Sequence, residues 1–278
     1  MFFFLLAVIT SALVSVFMRA GEKYARNSIT LLASNYVMCV VLGMLCTGTL
    51  NPFPHADGIG RTIGLGVING VLYLAGFVML NWNIRKNGVV LPATFMKLGV
   101  VVPTLMAVFV FGEVPSALQI IGILAAVFAI VLIRFEKGQQ KAASSAGLVA
   151  LMLVGGTADG MSKVYEQFGS AALQDHFLLY TFLTALVLCI GLAVFQKQSV
   201  TLPDVLCGFL IGIPNYFTAR FLLLSLDTIP AVVAYPGYSV GTIVLVTLSG
   251  VLFFREKLSR RQLIALLIIL AALAMLNL

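Results

Sequence analysis

The chain is a succession of long apolar runs that are separated by short polar connections. A transmembrane α-helix needs about 20 apolar residues, and ten segments reach roughly this length. Their approximate bounds are 2–20, 30–50, 62–83, 88–111, 116–134, 146–166, 177–196, 203–226, 231–254 and 259–277. The alternating polarity of a membrane β-barrel is absent from the sequence. The pattern therefore predicts an all-α membrane protein with ten transmembrane helices.

The composition agrees with a membrane protein. Of 278 residues, 61% are hydrophobic and 10% are charged, whereas soluble domains are about 45–50% apolar and about 25% charged. This excludes a soluble globular enzyme, a disordered chain and a nucleic-acid-binding module, and it makes the lipid bilayer the expected partner. The cysteines lie in apolar runs without metal-ligand spacing, so we expect neither a metal nor a cofactor.

The basic residues are distributed unevenly over the connections. Thirteen of the 17 Lys and Arg residues fall in odd-numbered connections, and only Arg61 and Lys163 fall in even-numbered ones. Basic connections stay cytoplasmic, so we expect a multi-pass protein of the cell (inner) membrane with both termini on the outer side. Lys163 lies near the end of a span, where its ammonium group is expected to reach the interface.

The sequence divides into two halves with the same plan. The predicted domains are an N-terminal five-helix repeat, 1–137, a cytoplasmic linker, 138–145, and a C-terminal five-helix repeat, 146–278. A shift of 143 residues superimposes several polar and aromatic positions: Glu113 on Glu256, Ser116 on Ser259, Gln119 on Gln262, Phe111 on Phe254 and Tyr73 on Tyr216. An odd number of spans per repeat inverts the second copy, which is the construction of secondary transporters.

One repeated motif resembles the drug/metabolite transporter superfamily, and within it the ten-helix EamA-like family. The motif is Phe111-Gly112-Glu113 with Gln119 and Gly122 in the first half, and Phe254-Arg255-Glu256 with Gln262 in the second. The resemblance covers the whole chain in span count and repeat layout. It implies a carrier of small metabolites in which spans 1, 3, 4, 6, 8 and 9 line a cavity, and spans 5 and 10 pack around it. The family transports several substrate classes, so the resemblance does not define the substrate.

Part of this motif also has a local structural explanation. Ser116 with Gln119, and Ser259 with Gln262, have the spacing of capping boxes. Glu113 and the equivalent Glu256 stand just before these helix starts, where negative charge is favoured. We therefore expect these residues to start spans 5 and 10 without contacting substrate.

Three ionisable residues lie deep inside predicted spans: Lys97, Asp159 and Arg220. A charge at the bilayer centre costs about 2.5–3.5 kcal/mol on the insertion scale, so such residues face the protein interior or water. Asp159 and Arg220 have opposite charges at similar predicted depths, and we expect them to pair or to share a site. That pair either joins two helices or binds a ligand. Lys97 is either a substrate-facing cation or a hydrogen-bonded structural lysine.

Other polar side chains share helical faces with these three residues or with each other. They complete the predicted substrate site, and each tyrosine also suits a hydrogen-bonded packing role. The additional residues are Thr94 beside Lys97, Tyr216 beside Arg220, the pair Asn69 and Tyr73, the pair Tyr235 and Tyr238, and Ser15 on span 1.

These features predict a secondary-type transporter that is not an enzyme, because His55 and His176 fall in connections and no nucleophile motif is present. Two cations against one anion favour an amino acid or a small organic acid as the substrate. Asp159 is the expected route for any proton coupling. The alternatives are a multidrug or cationic-metabolite exporter that uses Asp159, and a non-transporting membrane scaffold. The protein is expected to be a monomer or a homodimer.

Overall fold

The structure is a computed structural model that describes residues 1–21, 24–48, 51–87, 90–134, 145–254 and 260–276. These residues form eleven α-helices and a 3-10 turn at Ala171–Leu173, and the described ranges contain no β-strand. In chain order the helices are α1 (Phe2–Gly21), α2 (Ser28–Cys46), α3 (Ile59–Asn87), α4 (Val90–Leu98), α5 (Val101–Phe109), α6 (Ala117–Arg134), α7 (Ser145–Phe168), α8 (Gln174–Phe195), α9 (Leu202–Leu226), α10 (Ala231–Phe254) and α11 (Arg260–Leu276).

Seven of the described helices are long and apolar enough to cross a membrane: α1, α2, α3, α7, α8, α9 and α10. The all-α membrane class is thus confirmed, whereas the count of ten spans stays a prediction. The predicted fourth span is two nine-residue helices, α4 and α5. Pro103 has no N–H to offer the carbonyl of Gly99, which accepts from Val102 instead (2.9 Å). This proline therefore contributes to the break between the two helices.

The chain divides into two compact units, residues 1–74 with 164–225 and residues 75–163 with 226–278. Each unit takes helices from both halves of the sequence. The predicted boundaries, 1–137 and 146–278, therefore describe a sequence repeat and not these units, and they stay a prediction. Residues 138–144 of the predicted linker lie outside the described ranges.

In the first unit, α2 packs against α8, and a buried carboxylate satisfies the chain at the start of α2. Asp204 of α9 is 0% exposed. Its Oδ1 atom accepts the backbone N–H groups of Arg26 (2.7 Å) and Asn27 (3.1 Å). Asn27 caps α2 through its own side chain, which accepts from Ile29 (3.0 Å). The start of α2 is thereby joined to the start of α9.

Two pairs of glycines allow close helix packing in the first unit. Gly66 and Gly70 of α3 lie against α8, and Gly208 and Gly212 of α9 lie against α2. Under the sequence repeat, α3 corresponds to α9 and α8 corresponds to α2. The two glycine contacts are therefore counterparts of each other.

In the second unit, α6 packs against α11, and α5 packs against α10. The predicted capping box at the start of α6 is confirmed. The N–H of Ser116 donates to Oε1 of Gln119 (3.0 Å), and the N–H of Gln119 donates to Oγ of Ser116 (3.2 Å). The equivalent residues Glu256 and Ser259 and the side chain of Gln262 lie outside the described part of the chain.

The Gly70→Ala substitution is expected to destabilise the first unit. A Cβ atom at Gly70 would lie 2.6 Å from the carbonyl oxygen of Thr181 and 2.6 Å from Cβ of Thr184, so α3 and α8 must separate. We expect a loss of about 1–3 kcal/mol, measured as a lower unfolding temperature in detergent. Gly64→Ala is the matched control on the same helix, because nothing lies within 4 Å of its added Cβ. Equal losses for both variants would contradict close packing at Gly70.

Candidate functional site

The predicted site residues are distributed over both units. Lys97, Asp159, Tyr235 and Tyr238 belong to the second unit, and Ser15, Asn69, Tyr73, Tyr216 and Arg220 belong to the first. Thr94 lies on α4, but its side chain is outside what the structure describes.

Asp159 lies in the middle of α7, and its side chain is exposed there. At 1.5 Å per residue it is about 20 Å from the start of the helix and about 14 Å from its end. Lys97 is close enough to act on the Asp159 carboxylate electrostatically. The second unit thus brings together two of the predicted residues, an anion and a cation.

The break between α4 and α5 accounts for the position of Lys97. This residue lies in the last turn of α4, one residue before the helix ends, where the helix dipole favours a cation. Its side chain is half-buried. Gly99 and Gly156 let α7 approach the break closely, because a Cβ atom on Gly156 would lie 2.3 Å from the carbonyl oxygen of Gly99. Lys97 and α7 are thus held near each other.

Tyr235 contacts the same part of α7 through its hydroxyl. The phenol is 1% exposed and donates to the backbone carbonyl of Asp159 (3.0 Å). Its hydroxyl therefore fixes α10 to α7, which is the packing role that the sequence left open. Tyr238, three residues further along α10, is only half-buried.

The carboxylate of Glu113 contacts the start of α10, in addition to preceding α6 as the sequence predicts. Its carboxylate does not only precede α6: it accepts the N–H groups of Ala231 (3.1 Å) and Val232 (2.8 Å), which are the first two residues of α10. Lys163 also contacts it, with Nζ 3.0 Å from Oε1. The signal in the sequence was an acidic residue shortly before the capping box of α6, and it does not specify which helix start the carboxylate caps.

The prediction that Lys163 extends to the interface is wrong. Lys163 is 6% exposed and its ammonium group binds Glu113. The sequence placed this lysine near a span end at residue 166, but α7 continues to Phe168. A buried ammonium group needs a carboxylate in contact, and Glu113 supplies it.

In the first unit, Arg220 binds a different carboxylate from the one predicted. Its Nε and Nη2 atoms donate to Oδ1 (2.6 Å) and Oδ2 (3.0 Å) of Asp175. Arg220 is thus paired within its own unit, and the expectation that it shares a site with Asp159 stays a prediction. Asp175 falls between the predicted spans 146–166 and 177–196, yet it lies in the first turn of α8. Both side chains remain about one quarter exposed.

His176 was also predicted in a connection, but the structure places it in the first turn of α8. Its side chain is buried, and neither ring nitrogen has a hydrogen-bond partner in the structure. Among the residues that the structure describes, no group of three His, Cys, Asp or Glu side chains is arranged to hold a metal ion.

The remaining predicted residues of the first unit are mostly enclosed by protein. Tyr216 and Asn69 are 0% and 2% exposed. The ring of Phe182 lies between tyrosines, 5.8 Å from the ring of Tyr73 and 6.0 Å from that of Tyr216. Ser15 bonds weakly to its own helix, at the carbonyl of Ser11 (3.4 Å). In this conformation Tyr216 and Asn69 pack inside the unit, and their part in substrate binding stays a prediction.

Comparisons with known proteins identify the class of protein. Residues 1–135 match the sequence model of the EamA-like transporter family, and residues 175–269 match that of the Small Multidrug Resistance protein. The resemblance inferred from the repeated glutamate motif is confirmed. These two matches support a multi-pass membrane transporter of the drug/metabolite transporter type, and EamA-like transporters are in general not enzymes.

One curated relative and one solved structure cover nearly the whole chain. An uncharacterized protein of Haemophilus influenzae is 23% identical over 275 residues, which are 96% of this chain and 94% of that protein. A protein crystal structure matches 99% of this chain and 94% of its own with a TM-score of 0.78 at 13% identity. The latter likeness supports the fold alone.

A double-mutant cycle tests the ion pair between Arg220 and Asp175. We expect Arg220→Met and Asp175→Asn each to lower the free energy of unfolding by about 1–3 kcal/mol, because each leaves a partly buried partner unpaired. The double variant should lose less than the sum of the two. Arg61→Met, at an exposed residue, is the control and should change stability little. Additive losses for the pair would show that Arg220 is stabilised by another group.

Proposed function

We propose that the protein is a secondary-type transporter that carries a small polar metabolite across the cell (inner) membrane by alternating access. The observation that carries the proposal is the exposed Asp159 carboxylate in the middle of α7, with Lys97 in electrostatic range. Lipid is a poor environment for this carboxylate. Its exposure favours a water-filled or ligand-filled space at that depth.

The charge balance of the structure favours a zwitterion over a simple anion. The sequence suggested two cations against one anion, but Arg220 is neutralised by Asp175 within its own unit. This leaves Lys97 and Asp159 as one cation and one anion. An amino acid offers a carboxylate to the first and an ammonium group to the second, so it fits this pair better than an organic acid does.

Proton coupling, if the transporter uses it, would run through Asp159. A carboxylate that faces water at mid-depth can exchange a proton with the solution on either side in turn. Activity that survives Asp159→Asn, or a transport rate that does not change with pH, would count against this coupling.

The same proposal includes ten spans arranged as two inverted repeats. It also includes both termini on the outer side of the membrane and a protein that is a monomer or a homodimer. Helix pairing supports the repeat. α2 packs on α8, α5 on α10 and α6 on α11, and each pair joins counterparts under the shift of 143 residues. Counterparts that pack on each other are expected around a two-fold axis.

A cationic-metabolite or multidrug exporter is the second candidate. Asp159 alone would then bind the substrate, and Tyr238 is the half-buried aromatic side chain on α10 that could contribute a cation–π contact. The match of residues 175–269 to the Small Multidrug Resistance protein favours this candidate. The alternative that does not involve transport is a membrane scaffold. A scaffold role does not account for an exposed carboxylate in the middle of a helix.

The proposal predicts that Asp159→Asn and Lys97→Met each reduce transport by about 10–100-fold, because each removes one charge-assisted contact to the substrate. The measurement is uptake into proteoliposomes by equal amounts of folded protein. The substrate panel contains amino acids, organic acids and quaternary amines.

Two variants that remove the same charges elsewhere serve as controls. Asp57→Asn changes an exposed loop residue, and Lys86→Met changes an exposed lysine of α3. Both should transport normally. Dependence on Asp159 but not on Lys97, with quaternary amines as substrates, would select the cationic candidate. No uptake of any compound by the unaltered protein would favour the scaffold.

A further inference from the structure

The first turn of α10 depends on a carboxylate that comes from another segment of the chain. The first N–H groups of a helix have no acceptor within the helix. Val233 and Ala234 donate to the carbonyl of Pro230 (3.0 and 2.9 Å), and Glu113 accepts from the two residues before them. One side chain therefore satisfies both donors that the helix itself leaves open.

That carboxylate is held in turn by a buried ammonium group. Lys163 contacts the same Oε1 atom that accepts from Ala231, and its side chain is 8% exposed against 16% for Glu113. Removing the lysine would leave a largely buried carboxylate without its cation. The contact of Glu113 with the first turn of α10 is thus expected to depend on Lys163.

Lys163 also lies one helical turn from Asp159 on α7. Opposite charges four residues apart on a helix attract each other, so this spacing places Asp159 to compete with Glu113 for the ammonium group, in addition to the electrostatic action of Lys97 on Asp159. The competition depends on whether Asp159 is charged and unoccupied or is neutralised by a bound cationic group or a proton.

We propose that Glu113 and Lys163 form a latch on the first turn of α10 and that the charge of Asp159 controls this latch through Lys163. Both are positioning residues, since they set the helix that carries Tyr235 and Tyr238. The inference rests on the proposed role of Asp159 in binding a cationic group. When Asp159 is neutralised, Lys163 holds Glu113 firmly and the start of α10 is fixed. When Asp159 is an empty carboxylate, it attracts Lys163 and the latch loosens.

Amide hydrogen exchange of the full-length protein, read on a peptide that spans 229–236, tests the latch. Glu113→Gln and Lys163→Met should each speed exchange by about tenfold, because the first variant removes one of the two acceptor oxygens and the negative charge, and the second removes the cation that holds the carboxylate. Lys163→Arg keeps the charge and should exchange like the unaltered protein. Lys86→Met removes a lysine elsewhere in the same unit and should also have no effect.

The decisive comparison concerns Asp159→Asn. This variant should slow exchange at the start of α10 in the unaltered background, and it should have no effect when combined with Lys163→Met. Unchanged exchange in Lys163→Met, or an equal effect of Asp159→Asn in both backgrounds, would overturn the latch.

Transport by the same variants separates the latch from the proposed function. Loss of transport in Asp159→Asn without the exchange pattern would overturn the latch alone. Normal transport in that variant, together with the exchange pattern, would overturn the proposed function and leave the coupling among the three side chains standing.

Discussion

The scarcity of water inside a bilayer is the constraint on which this structure depends. A polar group at depth must find its partner in the protein or in a wet cavity, and a helix start leaves its first N–H groups open. In each unit, a carboxylate from a distant part of the sequence accepts backbone N–H groups at a helix start. Asp204 accepts the N–H groups that precede α2, and Glu113 accepts those that begin α10. These contacts join helix starts that chain order alone would leave apart.

Asp159 differs from these carboxylates, because its side chain is exposed. Two basic residues inside the described helices have carboxylate partners: Arg220 is bound on two atoms by Asp175, and Lys163 contacts Glu113. Asp159 instead has an exposed side chain with Lys97 in range. A transporter needs such a group, since a carboxylate already satisfied by protein gains little from binding a substrate.

The positions of the long helices and the capping of one helix start could be predicted from the sequence. The long helices fall where the apolar runs predicted them, and Ser116 with Gln119 caps α6 as its spacing indicated. The partners in ion pairs could not be predicted, because this requires helix ends to be known to better than one helical turn. α8 begins at Gln174 and not near residue 177, which brings Asp175 into reach of Arg220. A pairing argument based on depth along predicted helices cannot resolve a shift of that size.

The accessibility of residue 159 to water in the intact membrane tests the central claim most directly. After Cys39, Cys46, Cys189 and Cys207 are replaced by alanine, single cysteines are introduced as Asp159→Cys and Leu153→Cys, both at exposed positions of α7. A charged, membrane-impermeant thiol reagent should modify residue 159, which the account expects to face water, and should not modify residue 153, which it expects to face lipid. If residue 159 proves as unreactive as residue 153 from both sides of the membrane, Asp159 does not face water and the account of the site is wrong.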